Sequence, residues 1–265
     1  MSDLATALPA AQALPRRDRI AILAGLGGAA LLAWVYLVAI AAGMDEMPAG
    51  GEMLGMRAWT ALDFALMFLM WAVMMVGMMV PSAAPMVLIY AAVARKALRQ
   101  GTPVAPTSAF VCGYIAIWTA FSLGATAAQF ALDRAALLSP MMVTTSPALG
   151  GALLIAAGVY QLTPFKEACL RHCRAPARFI AEHWRPGRAG AWRMGIEHGA
   201  YCLGCCWILM GLLFLGGVMN LLWIAAIAVF VWLEKGLPLG AGGGRLAGVA
   251  MIGAGGIALF QSAGW

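Results

Sequence analysis

The stretch HGAYCLGCC at residues 198–206 carries one imidazole and three thiols, and it leads directly into the apolar run 207–218. An α-helix turns by about 100° per residue, so His198, Cys202 and Cys205 fall on one stripe, with Cys206 beside it. Imidazole and thiolate are ligands for soft or borderline metals, chiefly Cu(I) and Zn(II). The plainer alternative is that cysteine serves as a small residue in a packed helix interface. The spacing of a histidine and three thiols favours a metal site.

The composition around this stretch predicts a membrane protein. Of the 265 residues, 63% are hydrophobic and 11% are charged. Several apolar runs reach about 20 residues, the length that crosses a bilayer. The expected fold class is all-α: a polytopic helical membrane bundle with a tail at residues 1–19 and a single transmembrane domain at residues 20–262. The net charge of +6 comes from loop residues. It is typical of topology signals and lipid headgroup contacts, and not of nucleic-acid binding.

The apolar runs predict seven transmembrane helices, or six if the Gly-rich last segment does not cross. The expected spans are 20–42, 58–80, 108–132, 147–165, 195–218, a sixth ending at 232 and a seventh ending near 262. Pro81 and Pro85 predict a break or kink after the second span. The longest polar stretch, residues 166–193, is predicted to be a basic loop.

Basic residues predict the orientation. When alternate loops are assigned to alternate sides, fifteen of the 17 Lys and Arg residues share the side of the N-terminal tail, and only Arg57 and Arg134 do not. By the positive-inside rule, the N-terminus and residues 166–193 are cytoplasmic. All six cysteines then lie on or near the reducing side, which argues against structural disulfides. Loop methionines lie outside: Met44, Met47, Met53, Met56, Met141, Met142 and Met219. A protein that handles copper would show this division, with cysteine inside and methionine outside. A protein that merely avoids cysteine in its external loops would show it too.

The second span carries a carboxylate followed by a row of thioethers. On a helical wheel these residues fall within roughly 80° of one another: Asp63, Met67, Met70, Met74 and Met78. A carboxylate inside a span is expected to face the bundle interior or a polar cavity. The row is therefore a candidate copper path. Its alternative is adaptable packing, since methionine fills irregular gaps.

A second thiol cluster follows the fourth span. Cys169 and Cys173 are four residues apart, with His172 between them, so one helical turn can present both thiols to a metal. Both this group and the His198 group lie at span ends on the predicted cytoplasmic side. We therefore expect the two groups to converge.

Three blocks of the sequence resemble a bacterial family of integral membrane proteins that are predicted to bind metal and have no established reaction. The blocks are MMVGMMVPS at 74–82, YQLTPFKEACLRHCRAP at 160–176 and GAYCLGCCW at 199–207. The resemblance covers residues 59–235. It implies a bacterial inner-membrane protein with a metal site.

Two classes of function follow from these patterns. The first is copper transport or delivery, with Cu(I) held by the Cys/His cluster on the cytoplasmic side. Zinc and iron are the alternative metals, and the expected partners are membrane lipids and a copper chaperone or copper enzyme. The second is a membrane metalloenzyme, a copper or iron oxidoreductase that uses the same cluster. A scaffold subunit is a third reading, and a homo-oligomer is compatible with all three.

Overall fold

The computed structural model describes residues 14–45, 59–102, 105–139, 142–236 and 240–262. Within these ranges the chain is almost wholly helical, and its one β-type pairing is an isolated antiparallel bridge between Leu138 and Thr144. The all-α prediction is confirmed for this part of the chain. Four of the methionines predicted to lie outside are beyond the described residues: Met47, Met53, Met56 and Met141.

Ten helices follow one another in the described ranges. They are α1 (Arg16–Asp45), α2 (Ala61–Arg99), α3 (Thr107–Arg134), α4 (Pro147–Gln161), α5 (Pro164–Arg174), α6 (Pro176–His183), α7 (Gly187–Gly211), α8 (Leu213–Gly216), α9 (Leu221–Gly236) and α10 (Gly240–Ser262).

Local sequence signals set several of the helix starts. Thr60 and Asp63 form a capping box at α2: the threonine hydroxyl accepts from the Asp63 N–H at 3.2 Å, and the carboxylate accepts from the Thr60 N–H at 2.8 Å. Ser146 and Thr163 cap α4 and α5 with their hydroxyls, and each is followed by proline. Proline suits that position because the first N–H groups of a helix lack intrahelical partners.

Helices α2, α3 and α7 form the centre of the fold. α2 packs against α1 and α3, and α3 packs along α7. α5 lies on α7, α4 pairs with α10, and α9 reaches α2. The larger core cluster joins buried methionines of α2 to the three cysteines of α7. The thiol stretch therefore lies in the interior of the protein.

Glycine allows α3 and α7 to approach backbone to backbone. A Cβ on Gly195 would lie 2.0 Å from the Phe110 carbonyl oxygen, and a Cβ on Gly113 would lie 2.2 Å from the Trp192 carbonyl oxygen. Both distances are far inside van der Waals contact. The helix spacing therefore depends on the absence of side chains at these two positions.

Five helices in the described ranges are long and apolar enough to cross a membrane: Arg16–Gly43, Ala61–Arg99, Thr107–Arg134, Gly187–Gly216 and Gly242–Ser262. The pair α4 and α5, bent by 64°, makes a sixth if it is one broken span. The described residues do not give the seven predicted spans. The helix at the predicted sixth span, α9, has only 16 residues, and a straight crossing takes about 20. The Gly-rich last segment, in contrast, does form a long apolar helix.

Of the break or kink predicted at Pro81 and Pro85, the break is wrong and the kink stays a prediction. α2 continues through both prolines as one helix of 39 residues. An interior proline costs roughly 3 kcal/mol, yet Met79, Ala83 and Met86 around the two prolines are all buried. Their packing holds the helix together across the prolines.

The segment 166–193, predicted to be a basic cytoplasmic loop between two spans, is helical and forms α5, α6 and the start of α7. Its cytoplasmic location stays a prediction. Pro164 and Pro176 begin helices here instead of interrupting them. Each short helix buries apolar side chains such as Leu170 and Phe179. Charge dominates the sequence of this segment and conceals its amphipathic pattern.

We expect Gly195→Ala to destabilise the protein by about 1–3 kcal/mol, the usual cost of overpacking a tight interior. The measurement is the thermal-unfolding midpoint of detergent-purified protein, followed by tryptophan fluorescence. Gly124→Ala on α3 is the control, because no atom lies within 4 Å of its added Cβ. Equal effects of the two substitutions would contradict the close approach of α3 and α7.

Candidate metal centre

Three cysteines of α7 lie in the core, with Cys202 1% exposed, Cys205 2% and Cys206 0%. They occupy one helix, as predicted, together with His198. The thiols of Cys205 and Cys206 each donate to the Cys202 backbone carbonyl at 3.0 Å. Such bonds satisfy buried S–H groups inside their own helix. A metal would have to draw both thiols away from that carbonyl.

Cys173 of α5 joins this group from a second helix. Its side chain packs against the core cluster that holds Cys202 and Cys205, and it lines the same cavity as Cys202. Cys169 is one turn earlier on α5, and its Sγ lies 2.8 Å from where a Cβ on Gly204 would stand. Glycine at position 204 therefore makes room for α5 on α7. The two cysteine groups that the sequence separates by some 30 residues meet in the structure.

Lys235 of α9 brings a positive charge to the same thiols. Its Nζ lies 2.9 Å from the Cys202 Sγ and donates to the Ser82 hydroxyl at 3.2 Å. The lysine is only 8% exposed. An ammonium this close to sulfur, in surroundings of low polarity, stabilises negative charge on that sulfur.

Tyr114 of α3 approaches Cys202 from another side. Its hydroxyl lies 3.1 Å from the Cys202 Sγ and 3.1 Å from the Met79 carbonyl oxygen. A phenol has one proton to donate, so a Cys202 thiolate would compete with the carbonyl for it, whereas a Cys202 thiol can donate its own proton to the phenol oxygen. The charge on the thiol and the orientation of the phenol are therefore linked.

His198 lies one turn before Cys202, among aromatic rings. Its ring centroid is 5.7 Å from that of Tyr114, 6.1 Å from that of Phe110 and 5.5 Å from that of Phe179. The Nδ1 atom is buried and has no hydrogen-bond partner among the described residues. A neutral imidazole held this way keeps a nitrogen available for a ligand.

A cavity of about 280 Å³ adjoins the thiols. Its polar lining includes Tyr114, Cys173, His198, Cys202 and Lys235. Most of the remaining lining is apolar, contributed by residues of α2 and by Trp232. The cavity gives a small ion or its carrier a route to Cys202.

The described residues contain no group of three or more His, Cys, Asp or Glu side chains arranged to hold a metal ion in this conformation. The three thiols of α7 are buried in one core cluster, but the side chains are not arranged around a common centre. Metal binding would require them to lose protons and to rotate toward one point. The arrangement is a cluster of candidate ligands and not a preformed shell.

Two predicted ligands stand apart from this cluster. The His172 ring stacks on that of Tyr201 at 4.0 Å, and its Nδ1 lies 2.9 Å from the Ala168 carbonyl oxygen. Asp63 lies in the first turn of α2, where it forms the capping box and not a carboxylate deep within the span. Its role as a copper ligand remains a prediction.

The methionine row of α2 faces the protein interior. Met70, Met74 and Met78 are buried in the same core cluster as the α7 cysteines. Met67 is partly buried, and its sulfur lies 3.6 Å from the Gln129 amide nitrogen. Packing and copper passage both remain compatible with this position.

The sequence analysis missed the residues that surround the thiols from other helices. The sequence predicts that Lys235 and Lys166 are loop charges, yet both are buried. Lys166 pairs with Glu234 at 2.7 Å, and the Gln161 amide donates to the same carboxylate at 2.9 Å. The sequence signal for their burial is the adjacent pair Glu234–Lys235 directly after an apolar run. A charged residue at such a position can be buried when it pairs with an opposite charge inside the fold.

Comparison with known proteins identifies one match. The family model described as "PpoB2: Copper chaperone" matches residues 68–258, more than half of the chain. No curated protein matches. No solved structure matches.

We expect Lys235→Gln to slow the alkylation of Cys202 by at least about tenfold, because the thiolate is the reactive form and loses its ammonium neighbour. Site-resolved mass spectrometry after brief treatment with a small alkylating reagent measures this rate. Lys96→Gln is the matched control, since Lys96 is an exposed residue near the end of α2. An unchanged rate for Cys202 would show that Lys235 does not act on its charge.

Proposed function

The chain belongs to the PpoB2 copper chaperone family, and from this premise we propose that it is a membrane-embedded protein that binds Cu(I) at its buried thiols and delivers it. The single observation that carries the proposal is that Cys173 from α5 packs against the cluster of Cys202 and Cys205 from α7 and lines the same cavity as Cys202. Thiolates are the soft ligands that Cu(I) prefers. Cys206, Cys169 and His198 are the nearest additional ligands.

Membrane insertion is supported by the outward-facing side chains as well as by helix length. Large apolar residues point away from the protein on several helices, including Leu32 (71% exposed), Leu222 (84%) and Leu246 (74%). Exposed apolar surface of this kind is stable in contact with lipid tails. We propose a bacterial inner membrane, with α5 and α6 at its cytoplasmic face, because Arg171, Arg174 and Arg178 suit anionic lipid headgroups there.

Charge balance explains why a lysine lies beside the thiols. A Cu(I) ion bound by two or three thiolates leaves a net charge of about −1 or −2 on the centre. An isolated buried charge is strongly disfavoured. The Lys235 ammonium, 2.9 Å from the Cys202 sulfur, offsets part of this charge.

Delivery requires an exit for the metal. The cavity beside Cys202 supplies one, and Arg174 and Pro176 of the cytoplasmic-side helices form part of its lining. A partner that offers its own thiols or imidazoles there could take copper by ligand exchange. The proposed recipient is a copper-requiring enzyme or another copper carrier. The family description favours delivery over the alternative of a membrane oxidoreductase.

We expect Cys202→Ser to weaken Cu(I) binding by at least about 100-fold, since even loss of a group that orients a ligand costs 10–100-fold. Competition with a chromogenic Cu(I) chelator measures the affinity of purified protein. Cys112→Ser is the control, because Cys112 is exposed and away from the other thiols. Equal affinities of the two variants would remove the thiol cluster from the proposed function.

We expect a cysteine at Glu182→Cys to be protected from a membrane-impermeant maleimide in intact cells, and one at Glu52→Cys to react. Glu182 is an exposed residue of α6, and Glu52 belongs to the predicted outer loop, outside the described residues. Permeabilised cells should label both positions. Labelling of Glu182→Cys alone in intact cells would reverse the proposed orientation.

A further inference from the structure

Two thioether sulfurs converge on one buried amide far from the thiols. The Gln129 side chain on α3 is 1% exposed, and its Oε1 accepts from the Trp71 indole N–H at 2.7 Å. This bond directs the amide nitrogen toward the sulfurs of Met67 and Met142, at 3.6 Å and 3.1 Å. Thioether sulfur is a weak acceptor. An amide N–H group that only needed a hydrogen-bond acceptor would form a stronger bond with an oxygen atom.

The backbone at Met142 is held in an unusual conformation. Its φ is +56°, in the left-handed region that normally selects glycine or asparagine. Two hydrogen bonds fix the turn: the Met142 N–H donates to the Ser139 carbonyl, and the Ser139 N–H donates to the Val143 carbonyl, both at 2.8 Å. Thr144 ties the turn to the core through its N–H, which donates to the Phe214 carbonyl at 2.8 Å. A methionine kept at a strained position suggests that its side chain is used.

Two helices independently give the distance from the Gln129 amide and the Met67 sulfur to the thiols. On α2, Met67 precedes Ser82, which binds Lys235, by 15 residues; on α3, Gln129 follows Tyr114, which contacts Cys202, by 15 residues. At 1.5 Å per residue, both separations are about 22 Å. One metal ion cannot be shared over that distance. Buried methionines of α2 occupy the interval: Met70, Met74, Met75 and Met78.

We propose that Met67 and Met142 form a second Cu(I) site, a thioether site near the start of α2 and about 22 Å from the thiols. The Gln129 amide nitrogen marks the point on which both sulfurs converge, and the ion takes its place there. Thioethers select Cu(I) without losing a proton. A site with two of them binds weakly enough to exchange its ion, as an entry or exit station requires. This inference rests on the proposed function, because it takes copper as the cargo.

The test uses the full chain in detergent, with Ag(I) as a redox-stable substitute for Cu(I) and with methionine methyl groups labelled for NMR. Ag(I) should shift the methyl signals of Met67 and Met142, assigned through Met67→Leu and Met142→Leu. Cu(I) titration against a chelator should show one weak equivalent besides the thiol-bound copper. The double variant Met67→Leu/Met142→Leu should lose that equivalent and keep the tight one.

Met194→Leu is the matched control, because Met194 is fully buried in the other core cluster; it should bind like the wild type. A second arm replaces Cys173, Cys202, Cys205 and Cys206 by serine and should retain only the weak equivalent. If this variant does not fold, the wild-type titration and the methyl signals decide. Absence of the weak equivalent, with tight binding intact, overturns this inference alone. Absence of the tight equivalent in the wild type overturns the proposed function.

Discussion

The close approach of α3 and α7 is the constraint on which the candidate centre depends. Gly113 and Gly195 bring the two backbones together where any Cβ would overlap a carbonyl oxygen. As a result, the Tyr114 hydroxyl reaches Cys202, and its ring flanks His198. In the proposed membrane location, burial between helices would gain little from the hydrophobic effect, and small residues and close van der Waals contact would supply such stability. The glycines therefore set the position of the chemical groups as well as the fold.

A buried ion pair positions Cys173 and Lys235, the other two residues at the cavity beside Cys202. Lys166 lies in the first turn of α5, about two turns before Cys173, and Glu234 adjoins Lys235 on α9. Their contact at 2.7 Å, with Gln161 on the same carboxylate, joins the bent helix to α9. A buried pair contributes little net stability but strongly penalises any arrangement that separates its charges. The pair thereby selects the conformation in which a thiol and an ammonium both face Cys202.

The sequence predicts what depends on local pattern and misses what depends on contact. Hydropathy indicates long apolar helices, and 3.6-residue periodicity places the α7 cysteines on one helix, as observed. Periodicity cannot show that α2 passes through Pro81, because side chains from other helices hold it there. Nor can a count of loop charges show that Lys235 is buried, since its partner Ser82 lies 153 residues away. The local sequence around Asp63 likewise fits both a capping box and an intramembrane carboxylate, and the structure shows the capping box.

The two sulfur chemistries differ in how they depend on protons, and this difference bears on how the proposed chaperone could release its cargo. A thiol must lose a proton to bind Cu(I), so reprotonation weakens its hold. The ammonium of Lys235 and the single phenolic proton of Tyr114 both bear on that step at Cys202. A thioether has no proton to exchange. Under the two proposals, affinity at the thiol end varies with protonation while affinity at the thioether end stays fixed. Proton supply at the thiols can then shift the distribution of copper between the thiol site and the thioether site.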